Sequence, residues 1–215
     1  MELRNPAVAE DLERGRPLRL DLGSGGPPSR PGFYGVDLLP LEGVDVVADL
    51  DEPLDRLPDD SVAEVVTRHT LEHVRNLLPL MKELHRVVRA DGTIRIVVPH
   101  FSNVLAFSDP THVRFFGLHT MDYFVDPEKQ RFRRKVPAFY TDVRFEVRSI
   151  EIRFYKMGPV DKLIGKLLGM IVNRGPRLQQ LYERRLSALF HASEIEYVLR
   201  PEKPAAGGAA GGATG

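Results

Sequence analysis

The feature that most constrains the fold is a strand–helix–strand pattern between Val62 and Pro99. Val62–Thr67 (VAEVVT) and Thr93–Pro99 (TIRIVVP) are short runs rich in β-branched residues, which is typical of buried strands. Between them, apolar residues recur at spacings of three and four over Leu77–Val88, which predicts a helix with Asn76 as its N-cap. Because a helical crossover joins parallel strands, this unit predicts a parallel sheet.

Further strands and helices are predicted on both sides of this unit. The additional strand-like segments are 16–22, 33–37, 44–48, 145–155 and 194–199. Helical spacing of apolar residues predicts helices over 160–172 and 177–190, whereas 100–124 has the mixed composition of loop and short helix. The expected fold class is therefore α/β, with a doubly wound, seven-stranded, mainly parallel sheet and a helical C-terminal embellishment.

The length of 215 residues suits a single domain. We expect this domain over residues 1–203, with a cofactor half at 16–99 and an acceptor or lid part at 100–203. Residues 204–215 contain only Pro, Ala, Gly and Thr, so they cannot bury a core and are predicted to be disordered.

Composition excludes several classes of protein. The chain has no cysteine, which rules out disulfides, thiolate metal sites and a cysteine nucleophile. The first 13 residues carry five charges without an apolar run, unlike a signal peptide. The longest uncharged apolar stretch, Leu167–Val172, is far shorter than the roughly 20 residues of a membrane span. The sequence therefore predicts a cytoplasmic location.

Charge is divided along the chain although the net charge is zero. Residues 1–60 hold 14 acidic and 6 basic residues, whereas residues 129–185 hold 15 basic and 5 acidic residues. The basic block favours an anionic acceptor or anionic lipid, and the amphipathic segment 160–172 predicts peripheral membrane contact. A homodimer interface and a helix covering the sheet are alternatives for 160–172. The basic residues lack interleaved stacking aromatics, so no nucleic-acid partner is expected.

A glycine-rich turn follows the first long strand. In Leu20–Gly26 (LDLGSGG) the glycines let the backbone turn sharply and approach a ligand closely. Asp21, Asp37 and Asp49 stand near the ends of three successive strands. Because ligands of such sheets bind beyond the carboxyl ends of the strands, we expect these three carboxylates to converge on one crevice.

The ligand of this crevice is predicted to be an adenosyl compound without phosphate. Pro27 stands where a dinucleotide-binding turn has its third glycine, and no helix fits between Gly26 and Phe33 to hold a pyrophosphate. A crevice lined by carboxylates disfavours phosphate but suits ribose hydroxyls, an amine and a cationic sulfonium. These features favour S-adenosylmethionine over a nicotinamide dinucleotide.

The motifs from Leu18 to about Phe124, taken in order, resemble those of class I S-adenosylmethionine-dependent methyltransferases. LDLGSGG resembles their first motif, VDLLP contains the expected ribose-binding acid, and ADL resembles the acid–apolar pair at adenine. TRHTLEHV and LHRVVRADGTIRIVVP resemble the segments around the fourth and fifth strands. The cofactor-binding residues that this resemblance implies are Asp21, Gly23, Ser24, Gly25, Asp37, Leu38, Asp49, Leu50 and His69.

A second resemblance concerns the acceptor. SDPTHVRFFGLHTMDYF is similar to a bacterial subfamily associated with cell-surface glycan clusters, which implies a small or glycan-type acceptor and O-methylation. Transfer to a hydroxyl usually needs a base near the acceptor. His100 or His112 is the predicted base, with Asp109 orienting it. Two roles remain open for the residues Arg114, Phe115, Phe116, Tyr123 and Phe124: they line an acceptor pocket, in which Arg114 pairs an anionic group, or they form the core of a lid.

Two other functions remain open at this stage. His69–His73 (HTLEH) matches the His-x-x-Glu-His motif of some zinc proteases, but it leaves a strand rather than lying on a helix. The methyltransferase hypothesis needs no metal. Gly23–Gly32 is too short and proline-rich for the helix that normally follows the first strand of the family. This departure supports the alternative of a non-catalytic binding or scaffold module.

Overall fold

The structure is a computed structural model that describes residues 1–203. The predicted disorder of 204–215 lies outside the described residues. The strands are β1 (Glu2–Leu3), β2 (Leu18–Leu22), β3 (Tyr34–Asp37), β4 (Val46–Val47), β5 (Val62–Arg68), β6 (Val88–Pro99), β7 (Arg144–Phe154) and β8 (Ala192–Glu202). The helices are α1 (Pro6–Glu13), α2 (Leu77–Val87), α3 (Pro159–Val172) and α4 (Pro176–Leu181). Short 3₁₀ turns occupy Val104–Phe107 and Met121–Phe124, and a π-helical turn occupies Tyr182–Leu186.

All described strands form one sheet in the order β1-β4-β3-β2-β5-β6-β8-β7. The five neighbouring strands β4, β3, β2, β5 and β6 pair in parallel. Strand β8 lies between β6 and β7 and pairs antiparallel with both. The chain moves outward from β2 in one direction through β3 and β4 and in the other through β5 and β6. The neighbourhood of β2 is therefore the switch point at which ligands of such sheets bind.

The sequence predicted the mainly parallel α/β sheet, and the fold confirms it. The seven predicted strands are present, while the two-residue edge strand β1 was not predicted. It exists because Asn5 caps α1, accepting a hydrogen bond from the Ala7 nitrogen at 3.0 Å, which sets β1 against β4. The predicted helix over 177–190 is wrong in its extent, because α4 ends at Leu181 and a π-helical turn follows.

The hydrophobic core fixes the carboxyl edge of the sheet. The apolar face of α2 buries Leu80, Met81 and Leu84 in a cluster that also holds Leu20 and Ile96 of the strands. Complete burial of each such side chain stabilises the fold by about 1.5–3 kcal/mol. The loops that follow β2, β3, β5 and β6 are thereby held on a rigid base.

Helix α3 is attached beside the edge strand β7. The Asn173 side chain accepts a hydrogen bond from the Ile152 nitrogen at 2.9 Å and donates one to the Ile152 oxygen at 2.8 Å. Gly165 allows the close approach, because a Cβ there would lie 2.7 Å from the Tyr155 carbonyl oxygen. Among residues 1–203, no helix has the length and apolar content needed to span a membrane.

Candidate active site

A crevice opens at the carboxyl ends of β2, β3, β4 and β5. Its volume is about 260 Å³, close to the lower limit of about 300 Å³ for small-molecule pockets. Its lining combines carboxylates, imidazoles and apolar side chains. The lining residues are Gly23, Asp37, Leu38, Ala48, Asp49, Leu50, Asp51, His69, Thr70, His73 and Val74.

The glycine-rich turn forms the floor of the crevice. Gly23 has a φ of +73°, and a Cβ there would lie 2.1 Å from the Thr70 hydroxyl oxygen. That hydroxyl donates to the Leu22 carbonyl oxygen at 3.1 Å, so the loop after β5 packs directly on the turn after β2. Only glycine permits this approach, which leaves the crevice open beside the strand ends.

Asp37 and Asp49 are brought together as the sequence predicted. Asp37 accepts hydrogen bonds from the nitrogens of Gly25 at 2.8 Å and Leu39 at 3.1 Å, one on each carboxylate oxygen. Asp49 accepts one from the Asp51 nitrogen at 2.9 Å. Each carboxylate oxygen has two lone pairs, so both acids retain capacity to accept hydrogen bonds from a ligand.

Asp21 does not join these two acids, so the expected convergence of three carboxylates is wrong. Side chains alternate along a strand, and Asp21 therefore leaves β2 on the opposite face from Leu20 and Leu22. One oxygen of its carboxylate accepts hydrogen bonds from the nitrogen and hydroxyl of Ser29, at 2.7 and 2.6 Å. Asp21 thus fixes the proline-rich loop, and it lines a separate depression near Arg95.

Ser24 and Gly25 shape the turn without lining the crevice. The Ser24 hydroxyl donates to the Gly26 carbonyl oxygen at 2.8 Å, and Gly25 adopts a φ of +66°. Of the predicted cofactor residues, those in the crevice wall are Gly23, Asp37, Leu38, Asp49, Leu50 and His69. A direct role of Asp21, Ser24 and Gly25 in cofactor binding stays a prediction.

His69 lies at the crevice rim between two carboxylates. It has an unusual positive φ of 53°, its Nε2 lies 2.8 Å from Glu194, and its Nδ1 lies 3.4 Å from Glu72. The hydrogen bond with Glu194 and then the interaction with Glu72 raise the pKa of His69 to about 9. His69 is therefore cationic at neutral pH. Because it is committed to Glu194 in a loop, the zinc-protease arrangement of His69 and His73 on one helix is not formed.

Two loops meet beside the crevice and bring distant residues together. The Val113 nitrogen donates to the Glu72 carbonyl oxygen at 2.9 Å, and the Arg114 guanidinium donates to the Val74 carbonyl oxygen at 2.7 and 3.0 Å. These bonds seat the segment after β6 on the segment after β5. As a result His73 and His112 form an edge-to-face pair with ring centroids 4.7 Å apart.

Hydrogen bonds fix the tautomers of both imidazoles. His112 Nδ1 lies 2.8 Å from the Ala106 carbonyl oxygen, which can only accept, so Nδ1 carries the proton. Thr111 donates its single hydroxyl proton to Asp109 at 2.6 Å and therefore accepts from His73 Nδ1 at 2.9 Å. In the neutral form of each imidazole, the lone pair is therefore on Nε2.

Glu72 completes what we call the Glu72–His73–His112 cluster. A donor atom from each of these residues lies within 4.8 Å of both others. The Glu72 side chain is 1% exposed, and neither carboxylate oxygen has a hydrogen-bond partner. A buried carboxylate is unfavourable unless a cation or a proton balances it, and the nearest cationic group is His69, with Nδ1 3.4 Å from Glu72. The sequence analysis considered Glu72 and His73 only within the His69–His73 motif and so missed this cluster.

His100 is wrong as a candidate base. It is fully buried, with Nδ1 2.8 Å from the Ser102 hydroxyl oxygen and Nε2 3.1 Å from Glu183. A group with no access to the crevice cannot take a proton from a substrate. The Asp109 carboxylate does not hydrogen-bond to the His112 ring, because Asp109 Oδ2 lies 3.7 Å from His112 Nε2. Bonds from Thr111 lower the pKa of Asp109, which therefore acts on His73 through Thr111.

The predicted acceptor pocket is partly core. Phe116 and Phe124 are buried, and Arg114 is engaged by backbone carbonyls, with burial lowering its pKa. Phe115 is exposed and stacks on Phe107, with ring centroids 4.1 Å apart. Phe107 follows Ala106, whose carbonyl oxygen is the hydrogen-bond partner of His112, so this exposed apolar pair lies near the cluster.

The crevice residues suit an adenosylmethionine ligand. Asp37 offers carboxylate lone pairs for ribose hydroxyls, and Leu38 and Leu50 supply apolar surface for a purine ring. Carboxylates and a glycine turn without a helix favour a cationic, phosphate-free ligand. The absence of a helix between Gly26 and Phe33, predicted from the prolines, is confirmed.

Comparison with known proteins agrees with this assignment. Residues 36–96 match the family model described as a methyltransferase domain. The YcgJ protein of Bacillus subtilis has a similar fold, at 12% identity and a TM-score of 0.50 over 93% of this chain and 99% of that chain. An S-adenosylmethionine-dependent methyltransferase from Archaeoglobus fulgidus shares 17% identity over 91% of each chain, with a TM-score of 0.48. No curated protein sequence matches the chain.

The matched domain spans β3 to β6 and contains Asp37, Asp49 and the Glu72–His73 segment. The strand order places these residues at the switch point of the sheet. The methyltransferase-domain match therefore covers the strands that carry the crevice, and the crevice residues suit S-adenosylmethionine.

Proposed function

We propose that this enzyme methylates a hydroxyl oxygen of a small or glycan-type acceptor. The observation that carries the proposal is that His73 belongs both to the wall of the cofactor crevice and to the Glu72–His73–His112 cluster. An acceptor hydroxyl at this cluster would lie next to the cofactor. The cluster also offers free lone pairs that can receive the hydroxyl proton.

The cofactor supplies a methyl group on a positively charged sulfur, which leaves as a neutral thioether when an acceptor oxygen takes the methyl group. Asp37 and Asp49 hold the adenosyl part, and Gly23 leaves room for the chain that carries the sulfur. The cluster orients the acceptor oxygen and takes up its proton. Most of the rate acceleration then comes from holding the two reacting groups in line, an effect that reaches about 7–11 kcal/mol in well-oriented systems.

Two surface features support a glycan-type acceptor. The stacked pair of Phe107 and Phe115 offers a flat apolar face on which the C–H groups of a sugar ring can pack. The basic block 129–185 favours an anionic acceptor such as a phosphorylated or nucleotide-linked sugar. Nitrogen and carbon acceptors lack such a specific supporting observation.

The test is transfer of an isotopically labelled methyl group from S-adenosylmethionine to a panel of sugars and nucleotide sugars, read by mass spectrometry. We expect a labelled methyl ether on at least one acceptor, and loss of label in His73→Gln but not in His85→Gln, which lies on α2 outside the crevice. Label on nitrogen or carbon would overturn O-methylation.

The alternative of a non-catalytic module is motivated by the loop between β2 and β3, which has no helix to support the cofactor. If the protein is such a module, it transfers no methyl group to any acceptor, whether or not it binds the cofactor. A single turnover detected with wild-type protein and absent from His73→Gln would exclude it.

A further inference from the structure

We propose that Glu72, His73 and His112 bind one divalent transition-metal ion at the wall of the crevice. Two imidazoles and one carboxylate form a recurrent ligand set for such ions, and they leave coordination positions open for water or substrate. The site rests on the geometry of the cluster and holds whether or not the proposed methyl transfer is correct.

The distances suit a single ion after the three side chains move towards one another. The three donor atoms lie within 4.8 Å of one another. In a tetrahedral site, two ligands that are each about 2.1 Å from the ion lie about 3.4 Å apart. Each donor atom must therefore move by up to about 0.8 Å, which small rotations of the three side chains in their loops can supply.

The donor set of the cluster suits a cation. Because Nδ1 of each imidazole is hydrogen-bonded, to Ala106 in His112 and to Thr111 in His73, the neutral form of each ring carries its lone pair on Nε2. The Glu72 carboxylate is buried without a hydrogen-bond partner, and its nearest cationic group is His69 Nδ1 at 3.4 Å. A divalent ion would add a ligand bond to Glu72 and to both imidazoles at once.

The hydrogen-bond partners of the two histidines are also typical of a metal site. Metal-binding histidines usually donate their second ring proton to a carbonyl or carboxylate, which fixes the ring and raises its basicity. His112 does so to Ala106, and His73 does so through Thr111 to Asp109. Sequence reasoning alone expected no metal, because it examined His69 and His73 and could not pair His73 with His112.

The ion would give the enzyme a means of activating its acceptor. His73 faces the cofactor crevice, so an open coordination position beside it could hold the acceptor hydroxyl. With the ion bound, His73 and His112 are ligands rather than bases, so the cation would make the hydroxyl easier to deprotonate and its proton would pass to solvent water in the open crevice. This role rests on the proposed methyl transfer, whereas the site does not.

The test measures metal binding in the absence of cofactor and acceptor. Tag-free protein is dialysed against Zn²⁺ or Co²⁺, its metal content is measured by mass spectrometry, and the cobalt complex is examined by visible absorption. We expect about one ion per chain in the wild type and its loss in Glu72→Gln and His112→Gln. Thr111→Val should weaken binding by about tenfold to a hundredfold, because it frees His73. His85→Gln should bind like the wild type.

Melting curves without metal show whether each variant is folded. A wild type that retains no ion and gives no cobalt spectrum would overturn the site, as would folded Glu72→Gln and His112→Gln variants that bind as tightly as the wild type. Methyl transfer is assayed separately on the same samples. A metal-binding protein without transfer would refute the proposed function and leave the site standing.

A second observation, independent of the first, concerns α3. We infer that one face of this helix docks on an anionic membrane surface. Its exposed apolar residues include Leu163, which is 71% exposed, and neighbouring loops add Met157, which is 83% exposed, and Leu189. The exposed apolar residues of the helix itself are Val160, Leu163, Ile164, Leu167, Met170 and Ile171.

The positive charge around α3 favours an anionic membrane surface as its partner. Lys156, Lys162 and Lys166 are exposed beside these apolar side chains, and the block 129–185 that contains them has an excess of ten positive charges. An amphipathic helix of apolar and lysine residues inserts shallowly between anionic lipid headgroups. A homodimer through the same face would bring these lysines toward each other, which is less favourable.

Sedimentation with vesicles tests this inference. We expect binding to vesicles of phosphatidylcholine with phosphatidylglycerol, little binding to phosphatidylcholine alone, and loss of binding in Leu163→Glu. Leu41→Glu, at an exposed leucine outside α3, should bind like the wild type. Equal sedimentation of the wild type and Leu163→Glu, or a stable dimer by light scattering that Leu163→Glu dissociates, would overturn it.

Discussion

The crevice edge of the sheet and the outer face of α3 differ in how their side chains are held. At the crevice, Asp37, Thr70 and Thr111 are tied into short hydrogen bonds that aim functional groups at one space. On α3, large apolar side chains stand in solvent without partners. Ordered polar groups suit the binding of a small ligand or an ion, whereas an apolar face with lysines suits docking on an extended surface such as a membrane. Four experiments with substituted proteins test this contrast.

The largest effect is expected at the floor of the crevice. Gly23→Ala adds a Cβ 2.1 Å from the Thr70 hydroxyl oxygen at a positive φ, and should destabilise the fold by about 2–5 kcal/mol. Gly15→Ala is the matched control, since Gly15 has a φ of +66° and open space around it. Denaturant unfolding of both variants isolates the contact with Thr70. Equal destabilisation would mean that this contact does not shape the crevice.

Removal of a ligand-binding carboxylate should act on affinity. Asp37→Ala loses a charged acceptor that holds the turn at Gly25 and that we expect to bind the ribose. Charged hydrogen bonds are worth about 1.5–3 kcal/mol, so the dissociation constant for S-adenosylmethionine should rise by about tenfold to a hundredfold. Calorimetric titration measures it. Asp55→Ala, an exposed acid outside the crevice lining, should keep wild-type affinity.

On α3, the burial of a side chain should determine how much its substitution lowers the free energy of unfolding. Val172→Ala, at a residue that is 4% exposed, should destabilise the fold by about 1–3 kcal/mol. Leu163→Ser should change the unfolding free energy by less than about 0.5 kcal/mol, because Leu163 already stands in solvent. Thermal unfolding compares the two. A large loss in Leu163→Ser would show that this face packs inside the fold.

The smallest effect concerns a buried carboxylate outside the site. Burial raises the pKa of Asp122, so its contribution to stability is greatest below the unfolded pKa of about 4 and is lost as pH rises through the folded value. Asp122→Asn should therefore raise Tm at pH 7 by about 1–3 °C and leave metal binding unchanged. Melting curves from pH 3.5 to 8 measure it. A lower Tm at pH 7 would show that the ionised form stabilises the fold through His119.

The sequence predicted those parts of the molecule that depend on local patterns. The β-branched runs of β5 and β6 and the spacing in α2 determined the parallel sheet, and Asp37 and Asp49 followed from their positions at strand ends. Asp21 was misplaced because strand alternation, rather than nearness to a strand end, decides its direction.

The cluster and the buried histidine could not be predicted from local patterns. His73 and His112 are separated by 38 residues and meet through hydrogen bonds between two loops. His100 is removed from the site by Glu183, which lies on the π-helical turn 83 positions away. Such pairings depend on how the loops pack, and no periodicity in the sequence encodes them.

A crystal structure of the enzyme with S-adenosylhomocysteine tests the central claim most directly. The account predicts the adenosyl group at the carboxyl ends of β2, β3 and β4, with its ribose on Asp37 and its purine beside Leu50. Density for the ligand in the depression near Asp21 and Arg95, or a crevice filled by its own side chains at saturating ligand, would contradict it.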